Sequence, residues 1–160
     1  MNLELVKLDN FSGKEASVYT LLDTEEGETL FDKFILENKS SFKSEINNIL
    51  MRLNTIGYKT GAREQYFKLK EGKLGDLVCV LKDDPDKKLR LYCIRFGKSL
   101  LILGGGGPKT TRTLQEDRKL NEENSILVDI SKQIYERLKN KEIFYTNDGM
   151  DFEGELEFEL

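Results

Sequence analysis

The chain has 160 residues, of which 38% are hydrophobic and 34% charged, and its formal net charge is −4. A chain of this length buries about two-thirds of its unfolded surface as one domain, so neither a metal nor a disulfide is needed to hold a core. Histidine is absent, which excludes Ser-His-Asp and Cys-His catalysis, leaves no zinc signature, and restricts any chemistry to carboxylates, lysine, arginine, tyrosine or backbone groups.

The N-terminus offers two strand-like runs, Leu3-Glu-Leu-Val-Lys-Leu8 and Ala16-Ser-Val-Tyr-Thr-Leu-Leu22, separated by the turn formers Asp9-Asn-Phe-Ser-Gly13, so a hairpin is expected. Leu30, Phe31, Phe34 and Ile35 then suit a short amphipathic helix with Asp23 or Thr24 near its start. A second helix follows from the 3.6-residue stripe Phe42, Ile46, Ile49, Leu50, Leu53 and Ile56, capped by Ser40 or Ser41 and closed by Gly57. Gln65 to Leu69, Leu77 to Leu81, Leu89 to Phe96 and Leu100 to Leu103 are strand-like, and the short turns between them favour an antiparallel meander. Cys79 and Cys93 sit inside two of these apolar runs, where reduced, buried thiols are expected and a cross-strand disulfide is the alternative. Ile126, Ile130, Ile134 and Leu138 mark a third helix, and the chain ends in strand-like Ile143 to Tyr145 and Phe152 to Leu160.

These elements make one α+β domain over residues 1–160, an antiparallel sheet with helices packed on one face. No basic, apolar leader opens the chain, and no apolar stretch approaches the roughly 18 residues of a membrane span. A soluble, cytoplasmic protein is therefore expected, without a membrane partner.

Charge is unevenly spread. From Lys87 to Arg112 there are seven basic residues (Lys87, Lys88, Arg90, Arg95, Lys98, Lys109 and Arg112) and no acid, whereas the last twenty residues hold seven acids against Lys141 alone. Such asymmetry can mark an anionic ligand site. Strand alternation puts Arg90, Tyr92, Ile94 and Phe96 on one face and Leu89, Leu91, Cys93 and Arg95 on the other. The second set is the more apolar, which leaves Arg90 and Tyr92 on an open face, with Arg95 reaching solvent at the strand end and Lys109 and Arg112 returning toward Arg90.

Three segments resemble the RelE/HigB group of bacterial toxins. Residues Phe67 to Lys82, Phe-Lys-Leu-Lys-Glu-Gly-Lys-Leu-Gly-Asp-Leu-Val-Cys-Val-Leu-Lys, are similar to the family's K-L-x-G-x-x-E-L-R entry into its sheet. Leu89-Arg-Leu-Tyr-Cys-Ile-Arg-Phe96 resembles its Y-R-x-x-Y strand, and Leu101-Ile-Leu-Gly-Gly-Gly-Gly-Pro-Lys-Thr-Thr111 the strand running into x-K-K-T. As an order of elements the likeness spans residues 16–139, leaving residues 140–160 as an acidic, strand-like extension. The resemblance implies a RelE/ParE-toxin-like fold extended by an N-terminal strand, and an endoribonuclease that acts on messenger RNA, often in the ribosome, and is neutralised by a small antitoxin protein. It implies catalytic roles for Arg90, Tyr92 and Lys109 and needs no metal or cofactor. The chain departs from the pattern in its glycine run and in Pro108, which stands where the first lysine of the pair would be.

RNA cleavage through its own 2′-hydroxyl can run on such residues, because fixed positive charge stabilises the crowded phosphorane without a histidine. Arg90, Lys109 and Arg112 would bind the phosphate, Tyr92 would stack on a base or move a proton, and Lys87, Lys88, Arg95 and Lys98 would extend the RNA surface. Basic residues alternating with apolar ones are also what a solvated strand face looks like. A non-catalytic protein- or RNA-binding module on the same scaffold, or a phage- or plasmid-related interaction protein, are the other functions considered. The run Gly104-Gly-Gly-Gly-Pro-Lys-Thr110 fails as a P-loop because Pro108 precedes the lysine, and its glycines are expected to let backbone approach a ligand or to form a flexible turn. The alternating tail Asp151 to Leu160 suits an edge strand, or an acidic strip folding over the basic patch.

Overall fold

A computed structural model describes residues 1–69, 78–81, 88–110 and 113–160. Most of the linker within the first toxin-like motif, together with Lys87 and Arg112, lies outside the described residues.

Strands β1 (Asn2–Lys7) and β2 (Ser17–Asp23) form the expected hairpin, paired from Leu3↔Asp23 to Lys7↔Tyr19. The Ser12 hydroxyl fastens its turn, donating to the Leu8 carbonyl at 2.8 Å and accepting from the Val18 N–H at 2.9 Å. Asp23 does not start a helix. Its carboxylate accepts from the N–H groups of Glu25 and Glu26 in a turn, and the chain doubles back as β3 (Glu28–Thr29). Helix α1 (Leu30–Asn38) begins at Thr29, whose side chain accepts from the Asp32 N–H at 3.0 Å.

Helix α2 (Lys43–Thr55) starts at Phe42 without a side-chain cap, so neither Ser40 nor Ser41 serves as expected. It passes Gly57 in a π-helical turn, Ile56–Thr60, and ends at Gly61, whose φ of 75° is the left-handed conformation that glycine adopts without strain. The meander then follows as β4 (Phe67–Leu69), β5 (Val78–Leu81), β6 (Leu89–Phe96) and β7 (Leu100–Pro108), each antiparallel to the next. Helix α3 (Leu114–Lys139) is followed by a small hairpin of β8 (Ile143–Tyr145) and β9 (Phe152–Gly154), and by β10 (Glu157–Glu159).

The main sheet runs β10-β1-β2-β7-β6-β5-β4, with β3 attached to β2. It is mixed, mostly antiparallel: β2 and β7 are parallel, from Ser17↔Leu100 to Thr20↔Leu103. Helices α1 and α2 carry the chain from β2 toward the far edge. The four-stranded meander then walks back, and its last strand arrives beside β2 in the same direction.

Helices cover both faces of this sheet, a correction to the one-sided packing expected. On one side Phe31, Phe34, Ile46, Ile49 and Leu53 of α1 and α2 pack on Val18, Cys79, Leu89, Leu91, Cys93, Leu101 and Leu103. On the other, Leu120, Leu127, Ile130 and Ile134 of α3 pack on Leu21, Val78, Tyr92, Ile94, Leu100 and Ile102. The alternation along β6 is as expected, but the face bearing Tyr92 and Ile94 is a second core rather than an open surface. A helix with its own apolar stripe needs such a surface to bury it. Cys79 and Cys93 are buried thiols and form no disulfide with each other. Among the described residues no helix is long and apolar enough to cross a membrane.

The acidic tail is split. Phe152–Gly154 pairs with β8, whereas Glu157–Glu159 pairs with β1 at the edge of the main sheet. Strands β1, β2 and β7 separate it from β6, so it does not fold over the basic patch.

Candidate nucleic-acid interface

The end of the β6–β7 hairpin is built by a carboxylate on another element. Glu45 of α2 accepts from the Lys88 N–H at 2.8 Å and the Leu89 N–H at 2.9 Å, fastening the start of β6. The Lys88 carbonyl accepts from the Lys109 N–H at 2.7 Å. Arg90 lies opposite Gly107 and Leu89 opposite Pro108, so Lys88, Arg90 and Lys109 share one end of the sheet.

Arg90 and Lys109 also share a face. Arg90 alternates with Leu89 and Leu91, which point toward α1 and α2, and so lies on the α3 side, half-buried, with Nη1 donating to the Leu89 carbonyl at 3.2 Å. The Lys109 ammonium pairs with Asp117 in the first turn of α3. Tyr92 lies on the same face but is only 8% exposed. Burial raises the pKa of its phenol, the Arg90 charge works against that rise, and Glu123 adds to it.

The glycine run is strand, not loop. The pairing shifts from Leu91↔Gly106 to Cys93↔Leu103, so β7 sets Gly104 and Gly105 opposite the single residue Tyr92 as a bulge. A β-carbon on Gly104 would lie 2.6 Å from Leu127 Cδ1, and one on Gly105 2.3 Å from Glu123 Oε2. The glycines therefore let β7 approach a helix, not a ligand. Glu123 is 7% exposed; its Oε1 accepts from Lys119 at 2.8 Å, and its Oε2 has no hydrogen-bond partner among the described residues. Lys119 also reaches Glu37 of α1 at 3.3 Å. Burial disfavours charge on Lys119, but the hydrogen bonds and charges of Glu123 and Glu37 outweigh it and raise its pKa.

Arg95 and Lys98 do not converge here. Arg95 faces the α1–α2 side, partly exposed, where its Nε donates to the Ala62 carbonyl at 2.6 Å. Lys98 is exposed in the turn at the other end of β6; Arg90 and Phe96 alone are about 20 Å apart along a strand. Lys88 is exposed beside Lys109. Lys87 and Arg112 fall outside the described residues.

Sequence reasoning missed the acids that meet this patch: Glu45, Glu116, Asp117 and Glu123. Two of them carry local signals. Thr113 and Glu116 have capping-box spacing, and Lys119 and Glu123 have the i,i+4 spacing of a helical ion pair. Among the described residues no group of three or more acids or cysteines is placed to hold a metal ion. No known family model, no curated protein and no solved structure matches the chain.

Proposed function

We propose that the chain is a toxin-like endoribonuclease of the RelE/HigB kind, cleaving RNA without a metal. The observation that carries this reading is the convergence of Arg90 and Lys109 on one face at one end of the β6–β7 hairpin. The order of elements supports it: a strand, a helical pair, an antiparallel meander, a basic segment and a helix follow one another as the resemblance implies.

In this reading Arg90 and Lys109 hold the scissile phosphate and stabilise the charge that develops on its oxygens. The 2′-oxygen gives its proton to solvent water and bonds to phosphorus; the bond to the 5′-oxygen breaks, and that oxygen takes up a proton, so that none is gained or lost overall. Tyr92 carries a phenol on the Arg90 face, and in this reading its O–H donates to the leaving oxygen; burial raises its pKa and so makes it a weaker acid. Messenger RNA on the ribosome is the substrate, a small antitoxin is the partner, and the site of action is the cytoplasm.

The burial of Tyr92 favours a second reading, a catalytically inactive RNA- or protein-binding module on the same scaffold. Incubation of purified protein with RNA, with and without ribosomes, separates the two. The nuclease produces 2′,3′-cyclic phosphate and 5′-hydroxyl ends, and loses this activity on Arg90→Glu and Lys109→Glu. RNA binding without new ends supports the second reading, and neither cleavage nor salt-dependent binding defeats both.

A further inference from the structure

Three donors converge where β7 ends. The Thr110 N–H reaches Glu116 Oε1 at 3.1 Å and Oε2 at 3.4 Å, the Thr110 hydroxyl donates to Glu116 Oε2 at 2.7 Å, and the Lys109 ammonium pairs with Asp117 Oδ1. An ammonium, a backbone N–H and a hydroxyl on two consecutive residues form a donor set that suits the oxygens of a phosphate. In this chain two carboxylates stand where those oxygens would be.

Helix α3 does not need both carboxylates for its cap, because the Thr113 side chain already accepts from the Glu116 N–H at 3.1 Å. Apolar packing holds the start of the helix weakly. Leu114 is 81% exposed, and from Leu114 to Glu122 only Leu120 is buried, whereas Leu127, Ile130 and Ile134 anchor the rest. The tether at the first turn is therefore largely electrostatic. The Lys109 and Asp117 side chains are 39% and 42% exposed, a setting in which an ion pair is weak and open to competition from a solution anion.

We propose that Lys109 and Thr110 form an oxyanion site for a phosphodiester of single-stranded RNA, occupied in the resting chain by Glu116 and Asp117 as internal competitors. The choice of RNA as ligand rests on the nuclease reading; the competition itself does not. Self-inhibition comes from the first turn of α3, and binding releases that turn.

The test is binding of a labelled single-stranded RNA oligonucleotide by fluorescence anisotropy across a salt series. The parent is compared with Glu116→Gln/Asp117→Asn and with Glu157→Gln/Glu159→Gln, which removes the same charge at the far edge of the sheet. The first variant is expected to bind about tenfold more tightly, with a salt slope steeper by about 0.7 for each additional phosphate neutralised on a single strand, while the second stays close to the parent. Lys109→Met in the first background should remove the gain. Equal tightening in both charge variants, or none in the first, overturns the proposal. Glu116→Gln alone carries the same comparison should the double variant lose helix content by circular dichroism. Inorganic phosphate that saturates the Thr110 amide shift while RNA leaves it unmoved overturns RNA as the ligand. Tightening without strand cleavage defeats the nuclease reading alone, and cleavage without tightening defeats this proposal alone.

Discussion

Gly105 and Glu123 divide one small volume between strand and helix: a β-carbon on Gly105 would lie 2.3 Å from the Glu123 carboxylate. The four glycines of β7 differ in what an added methyl meets, and this ranks their alanine variants. At Gly106 it would meet the Arg90 carbonyl oxygen at 1.8 Å, which is backbone and cannot swing away. At Gly104 it would meet the buried Leu127 side chain, and at Gly107 only an ordinary approach of 3.4 Å to Lys119 Cγ. Gly106→Ala is expected to cost the most, beyond the about 1–3 kcal/mol typical of overpacking. Gly104→Ala and Gly105→Ala should fall within that range, and Gly107→Ala should be neutral or stabilising by up to about 1 kcal/mol. Denaturant unfolding of the four variants checks the order; a Gly107→Ala loss matching that of Gly106→Ala would refute the account.

Glu45 spans the gap between α2 and β6 with two charge-assisted hydrogen bonds, to the N–H groups of Lys88 and Leu89. Glu45→Ala removes both acceptors and is expected to cost about 1–3 kcal/mol, with Glu45→Gln losing less because one oxygen remains. The Lys88 carbonyl also holds the Lys109 N–H, so hydrogen exchange at Lys109 should speed up in Glu45→Ala. Unaltered protection there would mean that Glu45 does not organise the patch.

Local signals carried most of the elements. The stripe from Phe42 to Ile56 and the alternation from Leu89 to Phe96 mark α2 and β6, because a helix and a strand each show their period to one apolar partner. What alternation could not supply was the number of partners. The greater apolarity of Leu89, Leu91 and Cys93 leaves Arg90 and Tyr92 facing solvent on alternation alone, yet Tyr92 and Ile94 belong to a second core with α3, and Phe96 on the same face packs edge-on against Phe152. The glycine run was illegible for a related reason: with no side chains it has no period, and only its position beneath Leu127 and Glu123 gives it a purpose. Of the candidate site, the common end and face of Arg90 and Lys109 followed from an antiparallel return. The opposing acids did not, since Glu45 and Asp117 arrive from helices whose docking depends on the whole fold.

Cys79 and Cys93 stand directly opposite one another on β5 and β6, both 0% exposed. Each thiol lies 3.7 Å from a carbonyl, that of Cys93 for Cys79 and that of Leu91 for Cys93. Burial first, and then Cys79, push the Cys93 thiol well above its ordinary pKa. Since the thiolate is the reactive form, neither cysteine should react with an aromatic disulfide reagent in the native protein, and both should react in denaturant. Rapid native labelling of either would contradict the closed packing between β5 and β6.

Stability should fall in alkali, and the groups responsible can be named. The Tyr19 phenol donates to Asp151 at 2.8 Å and accepts from the Phe152 N–H at 3.2 Å. Burial raises its pKa most; the Phe152 bond lowers it, and the Asp151 hydrogen bond and charge raise it further. Tyr92 is raised chiefly by burial, and Lys119 is raised because Glu123 and Glu37 overcome its burial. All three hold their protons more tightly folded than unfolded. Their contribution is therefore complete below the unfolded values, near pH 10, and is lost as the pH rises toward the folded ones. Each buried phenol should add a slope of about 1.4 kcal/mol per pH unit in that window. Denaturation midpoints measured from about pH 8 to pH 11 should hold steady and then drop, and an ultraviolet titration should show two phenols ionising together with unfolding. Tyr19→Phe should flatten the drop, at a cost near neutrality of about 1–2 kcal/mol for the lost partner of the Phe152 N–H. Midpoints that stay level through pH 11 would show that neither phenol is sequestered as described.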